Sequence, residues 1–210
     1  MFLKNYWLKR NLVHIRTIGE EDLLRLAETS TAEEWFDMGM LYFERKQYSE
    51  ARSCFERASR SHERAIAHAY ALREQASMLP TGKSAEVARR HAFLEAAEAF
   101  RSCSSKHNPV YSRRSGECFE AAEQYPQAAK AFYQGENYTQ SVILYRRLGK
   151  FDEAIAIVLE KKDKVRQDVV DGVKDAAKLF YLSRAETKLV NQLLWRIRLI
   201  SYQRCLVNQP

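Results

Sequence analysis

The phrase Tyr48-x-x-Ala51-x-x-x-Phe55 recurs down the chain as Phe93-x-x-Ala96-x-x-x-Phe100, Tyr125-x-x-Ala128-x-x-x-Phe132, Tyr138-x-x-Ser141-x-x-x-Tyr145 and Phe151-x-x-Ala154-x-x-x-Val158. The last three copies begin 13 residues apart, at 125, 138 and 151. A fixed return of aromatic, small and aromatic positions is the sequence mark of stacked short helices. Such helices are marginal alone and persist by burying their faces on neighbours. Every recurring residue is a packing residue, which argues against an enzyme.

Composition agrees with an all-α chain. Only 7 glycines and 4 prolines occur in 210 residues, which favours helix over sheet. The 46% hydrophobic and 29% charged residues fit a folded chain rather than a disordered one. No apolar run approaches the roughly 20 residues of a membrane helix, and no secretory signal is read at the start. The four cysteines, Cys54, Cys103, Cys118 and Cys205, form no C-x-x-C pair. That usage predicts an intracellular location, nuclear or cytoplasmic, with reduced thiols. The net charge of +7 is uneven: Met1 to Arg16 holds four bases and no acid, 17–60 is acidic, and 161–210 holds 11 bases against five acids. A modest excess of this kind is weak evidence for nucleic acid.

Three regions are expected: 1–30 as an N-terminal segment, 31–190 as helical repeats, and 191–210 as a basic tail of undecided fold. Leu12-Val13-His14-Ile15-Arg16 reads as a short strand, and Glu20 to Ala27 as a short helix. Thr31-Ala-Glu-Glu34 is a capping box that starts a strong helix. Trp35, Met38, Gly39 and Tyr42 then fall on one helical face. Gln47 to Ser49 is read as the turn into a second helix with Ala51, Phe55 and Ala58 on one side. Further helices are expected over Ser61 to Met78, with Ala65, Ala69, Leu72 and Ala76 aligned, and over Ala85 to Cys103, with Val87 and Phe93 packing. The array continues near Asp171 to Leu182, and its pattern is lost from Val190 onward.

The set Trp35, Gly39, Tyr42, Ala51, Phe55 and Ala58 resembles a tetratricopeptide repeat. Gly39 and Ala51 are small so that two helices approach closely; Trp35, Tyr42 and Phe55 fill the space around that contact. A shift of 77 residues lays Gly39 on Gly116, Tyr42 on Phe119, Ala51 on Ala128 and Phe55 on Phe132, with Trp35 falling on Ser112. Together with Tyr48, Tyr125, Tyr138, Tyr145, Phe151 and Ala154, these residues are the repeat signature. The expected fold class is an all-α, tetratricopeptide-like α-solenoid of short antiparallel helices.

No catalytic, cofactor or metal constellation emerges. Thr81-Gly82-Lys83-Ser84 suggests a phosphate loop, but the glycine that motif needs five residues before Gly82 is Ser77. A helix-breaking loop with Ser84 as N-cap is the better reading. Cys103 and His107 supply two ligands at most, too few for zinc. His62 and His68 lie on different helix faces. Glu95, Glu98, Asp152 and Glu153 read as solvated carboxylates. The pairs Arg89-Arg90, Arg113-Arg114 and Arg146-Arg147, with the run Lys161 to Arg166, could hold phosphates if they share a face; the plainer reading gives them local acid partners such as Glu86 and Glu117.

Further segments carry a closer resemblance: Ser30 to Trp35, Cys54-Phe55-Glu56-Arg57-Ala58, Ala69 to Glu74, Ala92 to Phe100, Glu117 to Ala122 and Gly149 to Ala154. Over about Leu12 to Tyr181 the chain resembles the helical repeat region behind the motor in fungal UvrD-type helicase-like proteins of the tetratricopeptide-and-ankyrin-repeat-containing group. In that family the ATPase motifs lie in a preceding domain, so no catalytic residue carries over. The resemblance implies a non-catalytic interaction or scaffold module. Its partner would be a protein or peptide segment, or the helicase-like domain of a parent protein; an accessory nucleic-acid-binding role is the alternative, and no membrane is involved. By resemblance to other tetratricopeptide repeats, a partner groove would show Glu33, Phe36, Met40 and Phe43 from the first repeat and Arg113, Glu117 and Glu120 from the second. Where some such repeats clamp a C-terminal carboxylate with Lys and Asn, this chain has Phe36 and Met40, which argues against chaperone-tail binding.

Overall fold

A computed structural model of the protein describes residues 30–105 and 108–207, the last eighteen (190–207) as backbone only. The strand read at Leu12 to Arg16, the helix at Glu20 to Ala27 and His107 lie outside the described residues. Among the described residues the fold is all-α: α1 (Ala32–Glu44), α2 (Tyr48–Arg57), α3 (Ser61–Met78), α4 (Glu86–Cys103), α5 (Pro109–Ala121), α6 (Tyr125–Gln134), α7 (Tyr138–Arg147), α8 (Phe151–Glu160) and α9 (Gln167–Val207). The chain divides into two compact units, the first ending at Glu74 and the second starting at Gln75.

In the first unit, α1 begins on a complete capping box. Thr31 Oγ1 accepts from the Glu34 N–H at 3.3 Å, and Glu34 Oε2 accepts from the Thr31 N–H at 2.8 Å. Two of the helix's orphan donors are thereby satisfied. Phe55 of α2 lies against Gly39 of α1. A Cβ on Gly39 would stand 2.7 Å from the Phe55 ring, so no larger residue fits without a shift. Ala51, Phe55 and Ala67 form one buried cluster, and Trp35, Cys54 and Ala58 another. Phe43, Tyr48 and Tyr70 join α1, α2 and α3 through ring contacts of 5.0–5.3 Å between centroids.

The second unit repeats the arrangement. From α4 to α9 each helix packs on the next, and α9 also reaches α7. Phe132 of α6 lies on Gly116 of α5, where a Cβ would meet the ring at 2.9 Å. Two buried serines tie antiparallel neighbours: Ser115 Oγ donates to the Ala97 carbonyl and Ser141 Oγ to the Ala129 carbonyl, each at 2.8 Å. A buried hydroxyl without such an acceptor would be costly.

The 13-residue step is a ten-residue helix plus a three-residue turn, seen in α6 (Tyr125–Gln134) followed by 135–137 and in α7 (Tyr138–Arg147) followed by 148–150. Each turn has a left-handed middle residue: Lys46, Ser59, Glu123, Glu136 or Gly149, with φ between 57° and 69°. The next N–H then reaches back across the turn to an aromatic residue's carbonyl. Gln47 donates to Tyr42, Arg60 to Phe55, Gln124 to Phe119, Asn137 to Phe132 and Lys150 to Tyr145, at 2.8–2.9 Å. This is the Schellman closure, which satisfies the last carbonyls of a helix. Four of the five left-handed positions are not glycine, at a strain of about 1 kcal/mol each.

Several expectations are corrected. The first turn lies at 45–47 rather than Gln47 to Ser49, because Lys46 takes the left-handed conformation and Tyr48 already begins α2. Ser84 is not the N-cap of α4. A turn closed by the Ala85 N–H on the Gly82 carbonyl (3.0 Å) moves the start to Ala85, which makes no side-chain cap. Val87 is exposed: it sits in the first turn of α4, while packing starts at Phe93. On α3 the buried residues include Ile66, Ala67, Ala69 and Ala71, whereas Ala65 and Leu72 are half-buried. The expected stripe is present, with Ala76 buried as well as Ala69, but Ile66, Ala67 and Ala71 lie off it, so more than one side of the helix is covered. The helix near Asp171 to Leu182 and the segment from Val190 are one helix, Gln167–Val207. No glycine or proline stands between Gly172 and Pro210 to end it.

Candidate partner-binding face

The signature residues lie inside. Trp35, Gly39, Ala51, Phe55, Ala58, Gly116, Phe119, Ala128, Phe132, Tyr138, Tyr145 and Ala154 are buried, and Tyr42, Tyr48, Tyr125 and Phe151 are half-buried. Burial raises the pKa of the Tyr42 and Tyr145 hydroxyls, and pushes the Cys54 thiol up to about 11. A thiol held in that neutral form acts as a small apolar side chain. Cys103 and Cys118 are also buried.

Glu33, Phe36, Met40 and Phe43 are spaced by three and four, so they share one side of α1, about a quarter turn round from Trp35 and Gly39; Phe36 and Phe43 at its inner edge pack on the buried clusters. They differ in what they have left to offer. Met40 is 40% exposed. Phe36 is half-buried, with its ring 5.9 Å from that of Phe55 and the Arg60 guanidinium 5.0 Å above it. Phe43 is engaged edge-on with Tyr48 and Tyr70. On α5, Arg113 donates through Nη2 to the Gly135 carbonyl at 3.2 Å. Glu117 receives Arg114 through both carboxylate oxygens at 3.1 and 2.9 Å, and Glu120 receives Gln140 of α7 at 3.1 and 3.2 Å. The α1 face is therefore apolar and partly open, while the α5 face is a network of charges already engaged. The two faces belong to different units.

The arginine pairs are likewise engaged close by. Arg90 binds Glu86 at 2.6 Å and Glu123 at 2.8 Å. Arg89 stands over Phe93 and Arg147 over Tyr125, 5.3 and 4.5 Å from the ring centroids. The Arg146 guanidinium lies against Gly172. Lys161 and Lys164 both sit 5.7 Å from the Tyr138 ring centroid, and Arg166 binds Asp168 at 3.1 Å. These are cation–π and short ion-pair contacts that tie the cations to nearby side chains.

Sequence spacing did not reveal the seam between α2 and α3. There Arg52 donates to His68 Nδ1 at 3.3 Å and Arg64 binds Glu56 at 3.1 Å. Burial first, then Arg52 and Arg64, holds the His68 pKa below its ordinary range. Beside them is an open cleft of about 220 Å³ lined by Phe55, Glu56, Ser59, Arg60, Ser61 and Arg64. It forms at the left-handed turn through Ser59, which no i, i+4 pattern announces.

Thr81-Gly82-Lys83-Ser84 is an exposed turn ahead of α4, and a Cβ on Gly82 would meet open space. Among the described residues, no group of three or more His, Cys, Asp or Glu is gathered as for a metal ion, and no helix is long and apolar enough to cross a membrane.

A family model described as tetratricopeptide repeat matches residues 32–65, the stretch that runs from α1 through α2 into α3. No curated protein matches the chain. With the helical architecture, that match marks a tetratricopeptide-like repeat region, a type of fold that is generally non-catalytic.

Proposed function

We propose that the protein is a non-catalytic interaction module whose first repeat receives a partner segment on the α1 face around Met40. The observation that carries this reading is the exposed Met40 at the outer edge of a partly open side of α1. Glu33, Phe36, Met40 and Phe43 align there, and Met40 stays 40% exposed while Gly39, about a quarter turn away, is closed by Phe55. Helical repeats commonly bind extended or helical segments on such faces. In the second unit, Arg113 and Glu117 of α5 are a separate candidate polar contact, available to a partner that exchanges for their present bonds.

Selection of displayed peptides on the purified chain tests the proposal. Binders are expected to lose at least about tenfold in affinity on Met40→Glu, since an anchor of this size carries 1–2 kcal/mol or more. Binders indifferent to both Met40→Glu and Glu117→Lys would contradict it.

The finer reading, that the module accompanies a superfamily I helicase-like motor, is supported by the sequence resemblance described above. Titration of the chain with a UvrD-type motor domain from the same genome checks it. Saturable binding sensitive to Met40→Glu is expected, and absence of binding at micromolar concentrations would count against it.

A further inference from the structure

The outer side of α9 carries a second surface, separate from the candidate groove residues of α1 and α5. Val170, Val173 and Ala177 bury the inner side of its first turns. Phe180 and Tyr181 continue that side onto α8: the Phe180 ring lies 4.9 Å from that of Phe151, and the Tyr181 hydroxyl donates to Asp152. From 178 to 189 every residue is exposed. On the opposite side, Asp171, Asp175, Leu179, Leu182, Glu186 and Leu189 follow at steps of four, four, three, four and three, one unbroken helical stripe. Its leucines are 70%, 52% and 59% exposed. Helical stability in a protein comes chiefly from packing an amphipathic face, and no described element covers this one.

The charges select what does. Three of the six stripe positions are acidic. Asp171 is met within the helix by Gln167 at 2.9 Å and by Lys174 at 3.7 Å, and Lys178 stands at the edge of the stripe. A second copy is disfavoured. Antiparallel pairing of Leu179 with Leu182 sets Asp175 against Glu186, and parallel pairing sets each acid against itself. Nucleic acid and anionic lipid are repelled for the same reason. We propose that the outer stripe of α9 docks an amphipathic helical segment of a partner that presents apolar residues flanked by Lys and Arg.

Two labelled synthetic peptides test this with the full chain. One has leucine and lysine at helical spacing, and the other has glutamate in place of lysine. Because the whole chain is +7, general attraction opposes the lysine peptide, so its preference reports the local stripe. The expected result is selective binding of the lysine peptide, weakened at least about tenfold between roughly 50 and 500 mM salt. Leu179→Ser with Leu182→Ser is expected to weaken it at least about tenfold. Asp175→Lys with Glu186→Lys is expected to turn the preference toward the glutamate peptide. All four positions are exposed, and circular dichroism checks that the variants stay helical. Equal binding of both peptides, binding of neither, or lysine-peptide binding that survives both double variants would overturn the proposal. So would a concentration-dependent dimer that the leucine variant abolishes, since a second copy would then be the occupant.

Discussion

The hairpins α1–α2 and α5–α6 stand 77 residues apart and share one contact while differing in another. In both, a glycine of the first helix lies under a phenylalanine of the second: Gly39 under Phe55, and Gly116 under Phe132. In both, the phenylalanine's carbonyl also closes the following turn, taking the N–H of Arg60 or Asn137. Their first anchors are unlike. Trp35 is buried with Cys54 and Ala58 and has the Arg57 guanidinium 4.6 Å from its ring centroid; the matching residue of α5 is the buried Ser112. The hairpin thus survives loss of the tryptophan but keeps the glycine–ring contact. The close approach of two helices, and not the largest side chain, defines the repeat.

The largest effect expected from this comparison comes from the rings. Phe55→Ala and Phe132→Ala should each destabilise by about 3–5 kcal/mol, through lost burial and the cavity left over a glycine. Denaturant midpoints check it, and a loss below about 1 kcal/mol in either hairpin would show that its contact is dispensable. Filling the space instead of emptying it should cost less. Ala51→Leu and Ala128→Leu are expected to destabilise by about 1–3 kcal/mol through overpacking, read as a lowered melting temperature.

The turns provide a smaller contrast. Gly149→Ala should destabilise by about 1 kcal/mol, because it places a Cβ at a left-handed position, whereas Glu123→Gly should stabilise by about 0.5 kcal/mol by relieving that strain. Opposite shifts in melting temperature check the pair. The smallest effect near neutral pH concerns Cys54. Its folded pKa is about 11 against an ordinary 9.0, so burial favours the protonated thiol. That contribution is complete below pH 9 and is lost as pH rises through 11. Cys54→Ala should flatten the fall in stability over this window, as measured by denaturation at several pH values.

Much of this fold was legible because it rests on small and aromatic residues at fixed spacing. Ala51, Phe55, Ala128 and Phe132 announce which sides of α2 and α6 turn inward. The turns were less legible, because four left-handed positions hold Lys, Ser or Glu, and a reading that looks for glycine finds only Gly149. The end of the array was misjudged for a different reason. A repeat pattern reports helix pairs, and α9 runs on as one helix after its repeat residues cease, since no breaker stops it. That Glu33, Phe36, Met40 and Phe43 share one side of α1 follows from spacing alone. How far Phe43 is already committed to Tyr48 and Tyr70 does not, because that depends on three helices meeting.

The glycine–ring contact is tested most directly by a double-mutant cycle in the second hairpin, combining Gly116→Ala with Phe132→Leu. Alone, Gly116→Ala should cost about 1–3 kcal/mol, since its Cβ would enter the Phe132 ring. With the ring replaced by leucine, the same change should cost under about 0.5 kcal/mol, helped by alanine's higher helix propensity. An equal cost in both backgrounds would contradict the account.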